Sequence, residues 1–275
     1  MTYATIMVSL ASDQSNKRCL AIASEMVDRF DARAIGIAAE EFSPPLYFTT
    51  GEQADKMIEQ GRNAIKTRLS ELESEFRTAM NRSAKRVEWR SNMEIPLRFV
   101  AREARAADII VIRQGGGGVF TDPFSGVNPG DLVMQAGRPL LIVPEEAGSF
   151  DLRSVLVAWK DTLEARRAIV DSLPLLHKAK DVTIAEIVED GSREAALSRT
   201  NDVVTWLKHH NIAASAIVSD EKSHAGVALN RIASSVGAGI IVAGAYGHSR
   251  LSEWVLGGVT RHLTSESTRC VLLSR

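Results

Sequence analysis

Ala107-Asp108-Ile109-Ile110-Val111-Ile112 is answered 131 positions later by Ala238-Gly239-Ile240-Ile241-Val242-Ala243. At the same offset, Arg138-Pro139-Leu140-Leu141-Ile142-Val143 falls on Arg269-Cys270-Val271-Leu272-Leu273-Ser274. Gly116 falls on Gly247, and Gly126 on Gly257. An unbroken register over this distance marks an internal repeat, so the chain is read as two copies of one plan.

The beginnings of the copies also correspond, at a different offset. Ile6-Met7-Val8-Ser9-Leu10 matches Val155-Leu156-Val157-Ala158-Trp159 with a shift of 149, so the second copy lacks about 18 residues further on. The charged, helix-forming stretch 52–80 has a shorter counterpart at 193–210, which is where the loss is expected. A helix can lose whole turns while the sheet keeps its register.

Apolar runs at 3–10, 32–38, 85–90, 108–113 and 139–144 predict five strands in the first copy. Runs at 154–159, 181–188, 213–219, 239–244 and 269–274 predict five in the second. Continuous Val/Ile-rich runs suit strands buried on both faces of a parallel sheet. Their alternation with helical patterns implies right-handed crossovers and two tandem doubly wound α/β domains of Rossmann-like type. The expected units are 1–146 and 151–275, joined by the short polar link Glu145-Glu146-Ala147-Gly148-Ser149-Phe150. Such a link keeps the units in contact without saying which faces meet.

Hydrophobic residues make up 45% and charged residues 24% of the 275, as in a globular protein. The net charge of −1 gives no global field for nucleic acid or an anionic membrane. No apolar stretch approaches the roughly 20 residues that span a bilayer. The N-terminus enters a strand-like run without a leader pattern. Cys19 and Cys270 lie far apart and have no metal-like spacing, so both read as buried, reduced thiols. A cytoplasmic location is the expectation from these features.

In open parallel sheets, ligands sit beyond the carboxyl ends of the strands where the strand order reverses. After the fourth strand of the second copy comes Gly244-Ala245-Tyr246-Gly247, then nine residues, then Gly257-Gly258-Val259-Thr260 opening a helix. Glycines let backbone approach a phosphate. Amides at a helix start, with the helix dipole, favour an anion. Thr260 adds a hydroxyl, and His248 and Arg250 offer positive charge from the intervening loop.

Gly244-x2-Gly247-x9-Gly257 resembles the G-x2-G-x9-G-[S/T] signature of ATP-binding universal stress proteins, a family with an adenine nucleotide alpha hydrolase-like fold and tandem members. The likeness covers nearly the whole chain. It implies a regulatory, stress-response protein that binds ATP, with Mg2+ as its counter-ion, in the second unit. By the resemblance, Gly244, Gly247, Gly257, Val259 and Thr260 contact ribose and phosphates.

Two departures bear on this. Gly258 stands where the family has Ser or Thr, and Lys160 stands where it has an Asp near the adenosine, with Asp161 one residue later. Lys160 could reach a phosphate or exclude adenine. The alternative is therefore a structural or interaction module of the branch that binds no nucleotide. No general base is evident, so any ATP hydrolysis would be slow and incidental, and no catalytic residue is assigned. An enzyme on the same topology, such as a nucleotidyl transferase or flavin-linked electron carrier, would need acidic or histidine residues dense at the strand ends, and these are not found. The family's terminal strands often pair between copies, which implies a homodimer or a pseudo-dimer formed within the chain.

The first copy reads as degenerate. Arg113 replaces Gly244, Asn128 replaces Val259 and Pro129 replaces Thr260. Asn128-Pro129-Gly130-Asp131 resembles a turn and helix start. The run Gly115-Gly116-Gly117-Gly118 reads as a flexible connector.

Other polar residues take plainer readings. Adjacent His209 and His210 point about 100° apart on a helix and do not converge on a metal. His177, His224 and His262 read as isolated and solvated. Lys66 and Arg68 read as a solvated face of their helix. Arg98, Arg102 and Arg105 form a surface stripe. Trp159 either stacks on a base or fills the space between units.

Overall fold

The apolar runs form strands where the pattern places them. The first copy supplies β1 (Thr5–Ser9), β2 (Arg33–Ala39), β3 (Val87–Asn92), β4 (Ile109–Arg113) and β5 (Leu140–Val143). The second supplies β6 (Ser154–Trp159), β7 (Asp181–Ile187), β8 (Ala214–Ser219), β9 (Ile240–Gly244) and β10 (Cys270–Ser274). The helices are α1 (Lys17–Phe30), α2 (Gly51–Met80), α3 (Pro96–Glu103), α4 (Pro129–Gln135), α5 (Leu163–Leu176), α6 (Arg193–His209), α7 (Ala225–Ser235) and α8 (Gly258–Ser265). This computed structural model describes residues 2–43, 51–81, 86–115, 122–188, 192–220, 224–246 and 258–275.

All ten strands belong to one sheet, in the order β3-β2-β1-β4-β5-β10-β9-β6-β7-β8. Each copy contributes the same order, and the order reverses between β1 and β4 and between β6 and β9. Every pairing is parallel except one. β5 and β10 pair antiparallel, with Leu141 opposite Leu272, and join the copies edge to edge. Both edge strands are fully buried there, so each closes the other's open hydrogen-bonding edge.

Strand residues alternate between the two faces. Ile6 and Val8 belong to the apolar cluster beneath α1, α2, α5 and α6, while Met7 belongs to the cluster beneath α3, α4, α7 and α8. The sheet is thus covered on both sides, which explains why its strands lack a polar alternation.

The repeat persists at the level of single bonds. The Gln114 amide donates to the Val143 carbonyl at 2.8 Å, and 131 positions on, the Ala245 amide donates to the Ser274 carbonyl at 2.8 Å. Arg68 on α2 binds Glu40 just after β2, and Arg199 on α6 binds Glu186 on β7. The reading of Arg68 as part of a solvated face is thereby corrected. Helical spacing shows which face a residue occupies, but not that Glu40, 28 residues earlier, is buried within its reach.

The missing residues are mostly helix. α2 has 30 residues and α6 has 17, so 13 of the roughly 18 are lost from the helix itself. In α2 the buried stripe begins only at Ile65 and runs through Leu69, Leu72, Phe76 and Met80. The turns ahead of Ile65 bury no residue, so a copy without them keeps its core.

Candidate functional site

The carboxyl ends of β6 and β9 lie side by side at the reversal of strand order in the second copy. β6 ends at Trp159 and leads through Lys160 and Asp161 to Thr162, whose hydroxyl caps α5 by accepting the Ala165 amide at 3.3 Å. Asp161 is held by Arg166 at 2.5 Å, across the first turn of the same helix. β9 ends at Gly244, followed by Ala245 and Tyr246. Gly247, His248, Arg250 and Gly257 lie outside the described residues, and so do three of the four glycines in 115–118.

Gly244 has a packing role. A Cβ there would lie 2.5 Å from the Ala165 nitrogen and 2.6 Å from the Glu164 carbonyl carbon. Its missing side chain therefore admits the first turn of α5, which brings the 160–162 loop against the end of β9. Gly258, exposed at the start of α8, lies under His224: a Cβ there would meet His224 Nε2 at 2.4 Å. The absent side chain at position 258 is filled by an imidazole from the start of α7.

Thr260 is buried, and its hydroxyl accepts the Tyr246 amide at 3.4 Å. The two ends of the glycine loop are therefore in contact. Val259 is half-buried beside the apolar cluster of that face. Tyr246 has φ of 64°, a left-handed conformation uncommon for a bulky residue. Its ring reaches the first copy, where its hydroxyl donates to the Gly130 carbonyl at 3.1 Å. Burial pushes the Tyr246 pKa up to about 12, with Asp131 adding to the rise and Arg275 opposing it. The phenol thus remains a neutral donor near pH 7. Nothing in the spacing of the glycines pointed to Tyr246, because its partner belongs to the other copy.

His224 and His262 are not isolated. Their rings are 6.3 Å apart, and the His262 nitrogens lie 2.7 Å from Asn230 Nδ2 and 2.8 Å from Glu266 Oε2. They tie α7 to α8. His210 packs against Trp206 with the rings tilted, their centroids 4.2 Å apart. Trp159 is buried, directly across from Glu186 on the neighbouring strand. Its indole N–H has no partner among the described residues, and neither does one oxygen of Glu186.

The equivalent place in the first copy is built differently. Asn16 is buried and bridges the β1–α1 loop, accepting the Ala11 amide at 3.0 Å and donating to the Ala11 carbonyl at 2.8 Å. Asn128 caps α4, accepting the amides of Gly130 at 2.8 Å and Asp131 at 3.3 Å. Pro129, the first residue of that helix, has no amide hydrogen to offer. A cavity of about 30 Å3 remains, lined by Leu10, Asp13, Arg113 and Gly126 among others. That is room for about one water molecule.

No protein-family model matches the sequence, and no curated protein does. Solved structures do match. A universal stress protein from Archaeoglobus fulgidus superposes with a TM-score of 0.74 at 13% identity, covering 98% of this chain and 96% of that one. A universal stress protein assignment from Pseudomonas aeruginosa gives 0.62 at 13% identity, over 99% of this chain and 93% of that one. A protein of unknown function from Pseudomonas aeruginosa gives 0.57 at 14% identity, over 99% and 92%. Over nearly its whole length, the chain therefore has the fold of universal stress protein structures.

Proposed function

We propose that the chain is a nucleotide-binding regulatory protein, built of units 1–146 and 151–275, with a single site for ATP in the second unit. The site comprises the amides and hydroxyl of Gly257–Thr260, Gly244 and Gly247 in the approach, and Lys160, His248 and Arg250 as cations for the phosphates and their Mg2+. Asp161, already paired with Arg166, follows Lys160 on the β6 side.

One contrast carries the reading. The first turn of α4 has its amides taken by the Asn128 side chain. The residue before α8 is Gly257, which has no side chain with which to do the same. Backbone donors at a helix start preceded by a residue with no capping side chain are suited to an anion. Thr260 accepts from Tyr246, and its hydroxyl proton is given no acceptor among the described residues. The internal β5–β10 pairing supports the view that the two units form a pseudo-dimer. No group is placed as a general base, so the proposed role is occupancy rather than turnover.

A second reading, an interaction module without nucleotide, is favoured by Gly244. The space at that glycine is occupied by α5 backbone, so a glycine there needs no ligand to explain it. Mass spectrometry of small molecules released on denaturing freshly purified protein separates the two. Adenine nucleotide is expected from the native chain and not from Gly257→Val. Its absence from the native chain, together with no rise in melting temperature on adding ATP, would establish the module reading instead.

A further inference from the structure

A second groove, of about 420 Å3, lies at the opposite end of the sheet. It is lined by Glu25 and Arg29 of α1, by Ser149–Arg153 where the link enters the second unit, and by Lys178 and Lys180. Arg153 directly precedes β6 and Lys180 directly precedes β7, so the groove opens at the amino ends of these strands. It is therefore separate from the glycine loop and does not rest on the ATP reading. Its volume lies within the range of small-molecule sites.

The lining charges are unequal. Four cations face two carboxylates, in a chain whose net charge is −1. Both carboxylates are already engaged: Glu25 accepts the Phe150 amide at 3.0 Å, and Asp151 is held by Arg153 at 2.7 Å. Arg29, Lys178 and Lys180 make no ion pair among the described residues. Two of them are positioned by aromatic rings: Arg29 lies 5.5 Å from the Phe150 centroid and Lys178 5.3 Å from that of Phe30. A ring orients a cation without neutralising it. Phe150 and Leu152 are buried and give the groove a fixed floor.

We propose that this groove binds a small oligophosphate, with Arg29 of the first copy on one wall and Lys178 and Lys180 of the second on the other. Several cations converging on one cavity match a compact ligand carrying several negative charges. A chain of net charge −1 offers a polymer no global positive field. Because its walls come from both copies and its floor from the link, the occupied groove would tie the copies together beneath the β5–β10 seam.

The test is isothermal titration of the full chain with inorganic tripolyphosphate at 50 and 150 mM salt, with ADP in a parallel arm. The native chain is expected to bind tripolyphosphate. Lys178→Ala/Lys180→Ala should weaken binding by about tenfold or more. Arg62→Ala/Lys66→Ala, on the exposed face of α2, should leave it unchanged; the variants are compared in the Gly257→Val background, so that the glycine loop does not contribute to either arm. Binding of tripolyphosphate alone would show that a free oligophosphate is read, whereas equal loss of ADP binding in the lysine variant would show that a nucleotide's phosphate tail suffices. No binding by the native chain overturns the proposal. So does binding that survives loss of both lysines, or that falls equally with the α2 cations, or that disappears in Gly257→Val.

Discussion

The side-chain oxygen of Asn128 accepts the Gly130 amide at 2.8 Å and caps the start of α4, at a position where the second copy has Val259. The bond occupies a helix-start donor of α4 in the first copy. It also serves stability. Replacing a capping Asn by Ala costs about 1 kcal/mol. Asn128→Ala should lower the urea midpoint accordingly without creating a second nucleotide site, since Pro129 still lacks an amide hydrogen. An unchanged midpoint would contradict the capping role.

The two glycines of the second site should respond differently to substitution. Gly244→Ala forces a Cβ against backbone of α5 and should destabilise the chain by about 1–3 kcal/mol with no ligand present. Gly258→Ala meets the end of the His224 ring, a side chain that can swing aside, and should be the milder change. Thermal melts of both variants, compared with the native chain, check this order. The reverse order would show that α5 does not press on Gly244.

Glu103 should give the chain part of its acid sensitivity. Burial pushes its carboxyl up, but hydrogen bonds from Arg90 and Arg102, with Arg105 close by, outweigh burial and hold it below the usual range. A lowered folded pKa gives stability that is present above the unfolded value, near 4.3, and is lost as pH falls through the folded one. Glu103→Gln should therefore be less stable than the native chain at pH 7, by about 1 kcal/mol for a partly exposed network. It should also lose less on going from pH 7 to pH 3. Parallel urea curves at both pH values for the two proteins would contradict the assignment. Glu94 and Asp151, held low by Arg102 and Arg153, leave a residual slope of the same sign.

The thiols should be silent in the folded chain. Burial pushes both Cys19 and Cys270 up to about 12. Ellman's reagent at pH 8 is expected to titrate neither thiol in the native chain and both in guanidinium. Rapid labelling of the native chain would show that the seam around β10 opens.

Most of the fold was legible because its strands are buried on both faces. Ile109–Ile112 and Ile240–Ala243 could be placed as central strands without any contact being known, and their constant offset gave the repeat. The join was not legible. β5 and β10 are equally apolar edges, and nothing in Leu140–Val143 states that its partner is Cys270–Ser274 run the other way. The site was readable only in outline for the same reason. The spacing of Gly244, Gly247 and Gly257 locates a loop, but the close approach of α5 to Gly244, the imidazole over Gly258 and the reach of Tyr246 to Gly130 are long-range contacts. Arg68 was misread because its partner Glu40 sits on another element.

The central claim is that one unit of the two binds nucleotide. Isothermal titration of Mg·ATP tests it most directly, performed in the Lys178→Ala/Lys180→Ala background so that the groove at the link does not contribute. The account predicts one ATP per chain, abolished by Gly257→Val and unaffected by Asn128→Ala. No heat at millimolar ATP, or two equivalents bound per chain, would contradict it.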